Sequence, residues 1–560
     1  MTTAAAAPAE PRPAPAPERR RIGFDGRALT LAAALGAALP IVLSTARAFR
    51  DGWVPFGDQA VIATRASDVF SAHAPLVGQY SSSSHVAHHT TYSLGPLLYW
   101  LLAPAARLGP PGAIALTIGL VNVACVVGIV VLARRRGGVA LMFATALAVA
   151  VMCRSLMPET LHDPWNPSAA VVPFALLIFL CWSVACGDHK LLPLTVLVAS
   201  FVAQCHLAYL LPALGMSLVA LAGLVAGRRR GVRRWPWWLA ALAVAVVCWL
   251  PPLIDEISHN PGNITVVLRA GTATQPTVGW TDGWHAVART FGVPPWWTTI
   301  PTSPWDRLAE VQRPAGALAT ASAIVFLVGV VAALAVGLWR RRADLASAAA
   351  IVAVLAASIA AATAYTPTDH VLMSTLGYTL WLASPAGMAA WLILGWAAFA
   401  LVPRWSPRPR LRAAAGGAAL AGALAAGAAI AAGEQPDQHR SMYHPVAALA
   451  KRVDAAVPDG QTIWLDGSPG LTTVLRAGVR YDLRGRGVRA LAHHAADRVG
   501  AWYDLAGRRY AYAVYIQDND KFPKTQGRVV GRVMWIDGGV VHRLTVRVWR
   551  PPGGSAVGPS

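Results

Sequence analysis

Charge is what this sequence has least of. Asp, Glu, Lys and Arg make up 13% of its 560 residues, about half the roughly one quarter usual in a soluble domain. A chain so poorly charged cannot clothe a water-exposed surface along its whole length. Acid is scarcer than base, 27 residues against 48, for a formal net charge of +21. Such a balance would suit nucleic acid if the cations shared one face. They do not: the arginines stand in short clusters between apolar runs, at Arg134 to Arg136, Arg228 to Arg230 with Arg233 and Arg234, Arg340 to Arg342, and Arg404 to Arg412. Cytoplasmic loops have this look under the positive-inside rule, and nucleic acid is not expected as a partner. Cysteine is absent from the polar C-terminal region. All six (Cys125, Cys153, Cys181, Cys186, Cys205 and Cys248) lie in or beside apolar segments, so no disulfide framework and no C-x-x-C metal pair is read there.

What is present is apolar sequence in long runs. They cover 28–48, 111–133, 138–154, 168–186, 190–204, 206–227, 235–254, 314–338, 344–364, 382–403 and 412–432, most of them near the roughly 20 residues a bilayer core demands. The expected fold is therefore a polytopic α-helical membrane protein with about eleven spans. Residues 1–27, rich in Ala, Pro and Glu and then basic at Arg19 to Arg21, read as a disordered cytoplasmic arm ahead of an uncleaved first span. Alternation from a cytoplasmic N-terminus puts every arginine cluster inside. It also makes 28–432 the membrane domain, with outer loops at 49–110 and 255–313, and places 433–560 outside the cytoplasm. The apolar stretch 94–108 would break this agreement if it crossed. It is short and carries Pro96 and Pro104, so it is read as a helix lying along or re-entering the outer surface. Residues 190–227 must cross twice with a tight turn at Gln204, Cys205 and His206, which places those polar side chains in a cavity rather than in lipid.

Sorted by expected side, the unusual polar residues are nearly all external. The first outer loop holds Asp51, Asp58, Arg65, Asp68, His73, His85, His88, His89 and Tyr92. Then come His162-Asp163-Pro164-Trp165-Asn166-Pro167, the Gln204/His206 turn, the acid- and tryptophan-containing loop 255–313, and Asp369 with His370. Wet loops hold such residues without any function, and tryptophans anchor interfaces. Asp58 stands apart. In Gly57-Asp58-Gln59-Ala60 it follows the first span and opens a helical pattern. There a carboxylate serves as a base or beside a cation, or simply caps the helix. His85, His88 and His89 have the i, i+3, i+4 spacing that suits a metal, and equally form a solvated Ser/His loop.

From Glu434 the composition becomes that of a soluble domain. Helix-like stretches (Pro445 to Ala456, Val488 to Ala506) alternate with strand-like ones (Thr462 to Leu465, Tyr512 to Ile516, Val529 to Ile536, Val541 to Val548). A small α/β or α+β domain is expected. It has no P-loop, Rossmann fingerprint or nucleophile elbow.

The order of first span, Gly57-Asp58-Gln59-Ala60 helix, second outer helix entered through Gly95-Pro96-Leu97-Leu98-Tyr99-Trp100, and second span resembles the GT-C superfamily of integral-membrane glycosyltransferases. Asp163-Pro164-Trp165-Asn166-Pro167 and the Ser200…Gln204…His206 turn are similar to elements of actinobacterial members. The resemblance spans the chain and implies transfer of a sugar from a polyprenyl-phosphate donor to a cell-envelope acceptor, a glycan or a lipid-linked one, outside the cytoplasm. It implies Asp58 as base or cation ligand. Arg65, His88, His89, His162, Asp163, Trp165, Asn166, Gln204 and His206 are the substrate-binding candidates. No cofactor is implied with certainty, a divalent cation being the one open addition. Gln59 stands where many relatives have a second acid, which weakens metal binding by adjacent acids. Tyr92-Ser93-Leu94 stands where relatives have a His before the Pro turn, with His88 and His89 slightly upstream as candidates to replace it. A lipid or small-solute transporter is the alternative. It predicts internal repeats and broken helices at mid-membrane, and no repeat between the halves is evident. A non-catalytic scaffold displaying the terminal domain ranks last.

Overall fold

The computed structural model describes residues 26–227, 234–272, 274–401, 437–518, 526–552 and 555–558, with isolated positions between 418 and 429. The basic arm before residue 26, Arg228 to Arg230 with Arg233, Arg404 to Arg412 and nearly all of 412–432 lie outside the described residues, as does the boundary at 433.

Apolar composition and length produce a helical bundle. Its elements are α1 (Gly26–Arg50), α2 (Gly57–Ser67), α3 (Ser84–Ala87), α4 (Leu97–Leu108), α5 (Gly112–Arg154), α6 (Asn166–Ala185), α7 (Leu192–Cys205), α8 (Leu210–Ala226) and α9 (Trp235–Ser258). There follow α10 (Asn263–Thr272), α11 (Trp280–Phe291), α12 (Asp306–Val311), α13 (Ala317–Trp339), α14 (Ala343–Ala364), α15 (His370–Ser374), α16 (Leu376–Thr379) and α17 (Ala383–Leu401). Among the described residues eight helices are long and apolar enough to cross a membrane, not the eleven expected. The difference has two physical causes besides the undescribed 412–432. The runs 111–133 and 138–154 form one 43-residue element, α5, broken inside by non-helical Gly137 and Gly138. At 1.5 Å per residue that element is about 65 Å long, too long for one crossing, and its glycine break sits beside Arg134 to Arg136. Helix α7 has only 14 residues. At 12 residues, or about 18 Å, α4 falls well short of the roughly 30 Å hydrocarbon core.

The helix ends sort into two sets. At one, Arg134 donates to the Gly26 carbonyl and the Thr30 hydroxyl, Arg136 pairs with Asp188 at 2.5 Å, and Arg342 donates to the Ala400 carbonyl at 3.2 Å. At the other lie the loops around α2 to α4, the 155–165 turn, His206, α10 to α12, α15 and α16, and the soluble domain.

That domain is built on a five-stranded mixed sheet. Its strands are β1 (Thr462–Gly467), β2 (Arg489–Leu491), β4 (Tyr512–Asp518), β5 (Arg528–Asp537) and β6 (Val540–Trp549), in order β2-β1-β4-β6-β5. A two-residue β3 (Arg509–Tyr510) pairs separately with β7 (Ala556–Val557). β1 runs parallel to both β2 and β4, and the rest is antiparallel. The helix Leu471–Arg484 makes the β1-to-β2 crossover that a parallel pair requires. The expected strands therefore form, whereas the expected helix over 488–506 does not. Val488, Leu491, Ala495 and Val499 are all buried at helix-like spacing, but Arg489–Leu491 pairs with β1 and His494 takes φ 53°, ending regular structure.

Two sets of polar contacts seat this domain on the bundle. Asp68, whose side chain is fully buried, receives Arg65 at 3.4 Å and His73 at 3.3 Å from its own loop. From the soluble domain it receives Arg484 at 2.7 Å and the Tyr503 hydroxyl at 3.0 Å. On the other flank Asp437 joins His162 at 3.1 Å and Tyr443 at 2.7 Å, while Glu159 meets His439 and Asp51 meets Arg440. Removing one partner of a buried pair strands the other charge. Asp68→Ala should therefore lower stability by about 3 kcal/mol, less than for a fully desolvated pair because Arg484 keeps some solvent. Chemical denaturation in micelles reads this, with faster proteolysis of the soluble domain. A loss below about 0.5 kcal/mol, the scale of an exposed pair, would contradict the clamp.

Candidate active site at the junction of bundle and soluble domain

Helix α2 places Asp58 in its first turn, where the helix dipole favours an anion. Its entry depends on Gly57, which adopts φ +50° and whose missing Cβ would stand 3.2 Å from Val474 of the Leu471–Arg484 helix. Solvent reaches the Asp58 side chain, yet protein surrounds it closely enough that burial raises its carboxyl above the ordinary 3.8, against the lowering effects of Arg498 and of a hydrogen bond from the Trp165 indole. The carboxylate is thus both reachable by solvent and closely flanked by protein.

Aromatic rings stand beside Asp58. Trp165 meets Tyr378 edge-on at 4.7 Å and Trp381 at 5.9 Å. Tyr378 touches Ser82 by a side-chain hydrogen bond and feels the Asp58 charge. His206 packs edge-on to Tyr378 at 5.8 Å, and burial pushes its imidazole down to about 4, so it is neutral. Asp58, Trp165 and His206, far apart in sequence, thus belong to one cluster, joined by Tyr378. Sequence reasoning missed Tyr378, Ser82 and Arg498. The aromatic pair Tyr378 and Trp381, placed just before the apolar run 382–403, was a readable signal. Arg498 was hidden in the stretch misread as helix.

The other candidates are engaged elsewhere. Arg65 turns to Asp68. His162 is fully buried and uses both ring nitrogens, on Ser44 at 3.0 Å and on Asp437. Asp163 accepts from the Trp165 amide at 2.9 Å and from Ser168 at 3.2 Å, fixing the turn that aims Trp165. Asn166 donates to the Cys205 carbonyl at 2.9 Å. Gln204 accepts from the Leu97 amide and donates to the Cys248 carbonyl at 2.7 Å, in a space that stays open because Gly95 has no Cβ to meet it. These residues hold together the loops that carry the cluster. His88 and His89 are exposed at the end of α3. Among the described residues no three His, Cys, Asp or Glu side chains gather as a metal site. A lone Asp58 beside Gln59 is a poor donor set for a resident divalent cation, and no step is drawn through one.

Between α7, α8, α9 and α10 lies an apolar space of about 400 Å³ lined by Leu94, Ala199, Leu210, Trp249 and Leu268 among others. Leu94 adjoins Ser93, whose hydroxyl donates to the Cys205 carbonyl at 3.1 Å, so this space abuts the turn that carries His206.

No family model and no curated protein matches the chain. Among solved structures it is similar to the crystal structure of ArnT from Cupriavidus metallidurans bound to undecaprenyl phosphate, at 12% identity and TM-score 0.48, over 91% of this chain and 97% of that one. It is also similar to the archaeal oligosaccharyltransferase AglB from Archaeoglobus fulgidus in complex with an inhibitory peptide and a dolichol-phosphate. There the identity is 12% and the TM-score 0.34, over 88% of this chain and 69% of that one. At such values the activity has to be read from this chain's own residues.

Burial and the neighbouring Glu159 raise Asp163 to about 7. Because its pKa is raised on folding, its contribution to stability is complete below the ordinary 3.8 and lost as pH climbs through about 7. Thermal midpoints measured from about pH 5 to 8 should fall less steeply in Asp163→Asn, which keeps an acceptor for the Trp165 amide, than in wild type. Equal slopes would contradict this assignment.

Proposed function

We propose that this chain is a membrane glycosyltransferase of the GT-C type, a hexosyl- or pentosyltransferase that moves a sugar from a polyprenyl-phosphate donor to a cell-envelope acceptor. The proposed topology keeps the N-terminus in the cytoplasm and the soluble domain outside, in a multi-pass plasma-membrane protein. The observation that carries the reading is Asp58: a reachable carboxylate with a raised pKa that takes a hydrogen bond from Trp165 and lies near Tyr378. A space of about 400 Å³ falls in the usual range of small-molecule sites and suits isoprene units. The aromatic side chains suit a pyranose or furanose ring.

In this mechanism the acceptor hydroxyl gives its proton to Asp58 as its oxygen bonds to the anomeric carbon. The bond from that carbon to the phosphate oxygen breaks, and polyprenyl phosphate leaves with the electron pair. A carboxyl with a pKa moved upward is a better match to this task than one in the ordinary range, since base strength rises with pKa. Neutral His206 accepts or donates a hydrogen bond without adding charge.

Transfer from a panel of polyprenyl-phosphate hexoses and pentoses, assayed in proteoliposomes, should fall by about 100-fold or more in Asp58→Asn, with the thermal midpoint kept. Normal turnover in that variant would overturn the assignment. In wild type the rate should fall as pH drops through the raised Asp58 pKa, because the base must be ionised. Trp165→Phe removes a hydrogen bond that lowers this pKa, so the acid limb should move to higher pH. An unmoved limb would separate Trp165 from the base.

A further inference from the structure

We infer that Arg498, carried by the soluble domain, grips the phosphate of the lipid donor beside Asp58, so that the site is incomplete until that domain docks. The inference rests on the transfer reading above and deepens it.

The geometry begins with a small apolar cluster. Ala495, Val499 and Tyr503 of the 492–508 segment pack on Val61. Val61 lies three residues, one helical turn, beyond Asp58, hence on the same face of α2. The segment is pinned on either side of Arg498: Thr90 donates to Asp497 at 3.4 Å, and Gly500, at φ +111°, lies against the Arg65 guanidinium. Between these anchors the Arg498 guanidinium stacks over the Tyr80 ring at 4.5 Å. Tyr80 is itself bridged to Tyr92, whose amide donates to the Asn263 side chain at 2.9 Å. Arg498 is therefore oriented by an aromatic face rather than neutralised by a carboxylate. Arg498 is exposed, among the described residues no hydrogen bond or salt bridge takes up its N–H groups, and its charge acts on Asp58 through space.

A guanidinium held on an aromatic plane with unused donors is an anion receptor, and its fork matches the oxygens of a phosphate. Charge builds on the phosphate as the glycosidic bond breaks, so a fixed cation there stabilises the transition state more than the ground state. It also supplies positive charge at a site whose single acid is a poor metal ligand set. In the ligand-free protein the same cation offsets part of the cost of keeping Asp58 ionised.

The test uses the full chain in detergent micelles, with undecaprenyl phosphate and undecaprenol as probes and native mass spectrometry as readout. Wild type should prefer the phosphate. Arg498→Ala should reduce that preference about tenfold or more with undecaprenol binding and thermal midpoint unchanged, and Arg498→Lys should restore part of it. Arg498→Gln, which keeps the stem and Tyr80 contact, should behave like Arg498→Ala. An undiminished phosphate preference in both neutral variants overturns the role of Arg498 while leaving the transfer reading intact. Absence of any phosphate preference in wild type overturns the transfer reading itself. Displacement of undecaprenyl phosphate by equimolar inorganic phosphate would assign the site to free phosphate and overturn the lipid assignment.

Discussion

One carboxylate ties the two halves of this protein together. Asp68 ends α2 with its side chain out of solvent, and four groups converge on it, two from its own loop and two from the soluble domain. An isolated buried carboxylate is costly, so the loop and the domain each need the other to satisfy it. Docking through Asp68 lays the Leu471–Arg484 helix along α2. That contact sets Val474 against Gly57 and brings the 492–508 segment over Val61. The position of Asp58, at the start of the same helix, follows from where that helix is held.

The cluster of side chains around Asp58 is consequently composite. It takes an acid from α2, an indole from the turn before α6, a tyrosine from α16, an imidazole from the turn after α7 and a cation from the soluble domain. Most polar residues nearby fix these segments instead of joining the cluster. Asp163 shapes the turn that presents Trp165. Asn166 and Gln204 tie the His206 turn to the first loop and to α9. In the proposed reaction this division lets a few groups act on substrate while a larger number keep them in register.

The membrane helices were legible because apolar runs of span length have few other uses. The four long strands of the soluble domain were legible from their alternation and turns. The difference between eight and eleven spans traces to Gly137-Gly138, where two apolar runs join in one 43-residue element, to the 14-residue α7, and to 412–432, nearly all of which lies outside the described residues. Asp58 was legible from its position after the first span, as were Trp165 and His206 as members of polar turns. What could not be read was which polar residues satisfy one another. His162 and Arg65 look like ligands in sequence, and only their pairing with Asp437 and Asp68 reveals that they are occupied. Arg498 was lost for a different reason. Its segment has buried residues at helical spacing but folds as an irregular loop after β2, and nothing local announces that it will reach α2 more than 400 positions away.

The most direct measurement of this account is a cryo-EM structure of the protein with undecaprenyl phosphate bound. The account predicts the phosphate beside the cluster of Asp58, Trp165 and Tyr378, within about 3 Å of the Arg498 guanidinium, with the isoprenoid chain running into the apolar space between α7, α8, α9 and α10. A phosphate more than about 15 Å from Asp58, well beyond hydrogen-bond reach, would contradict it.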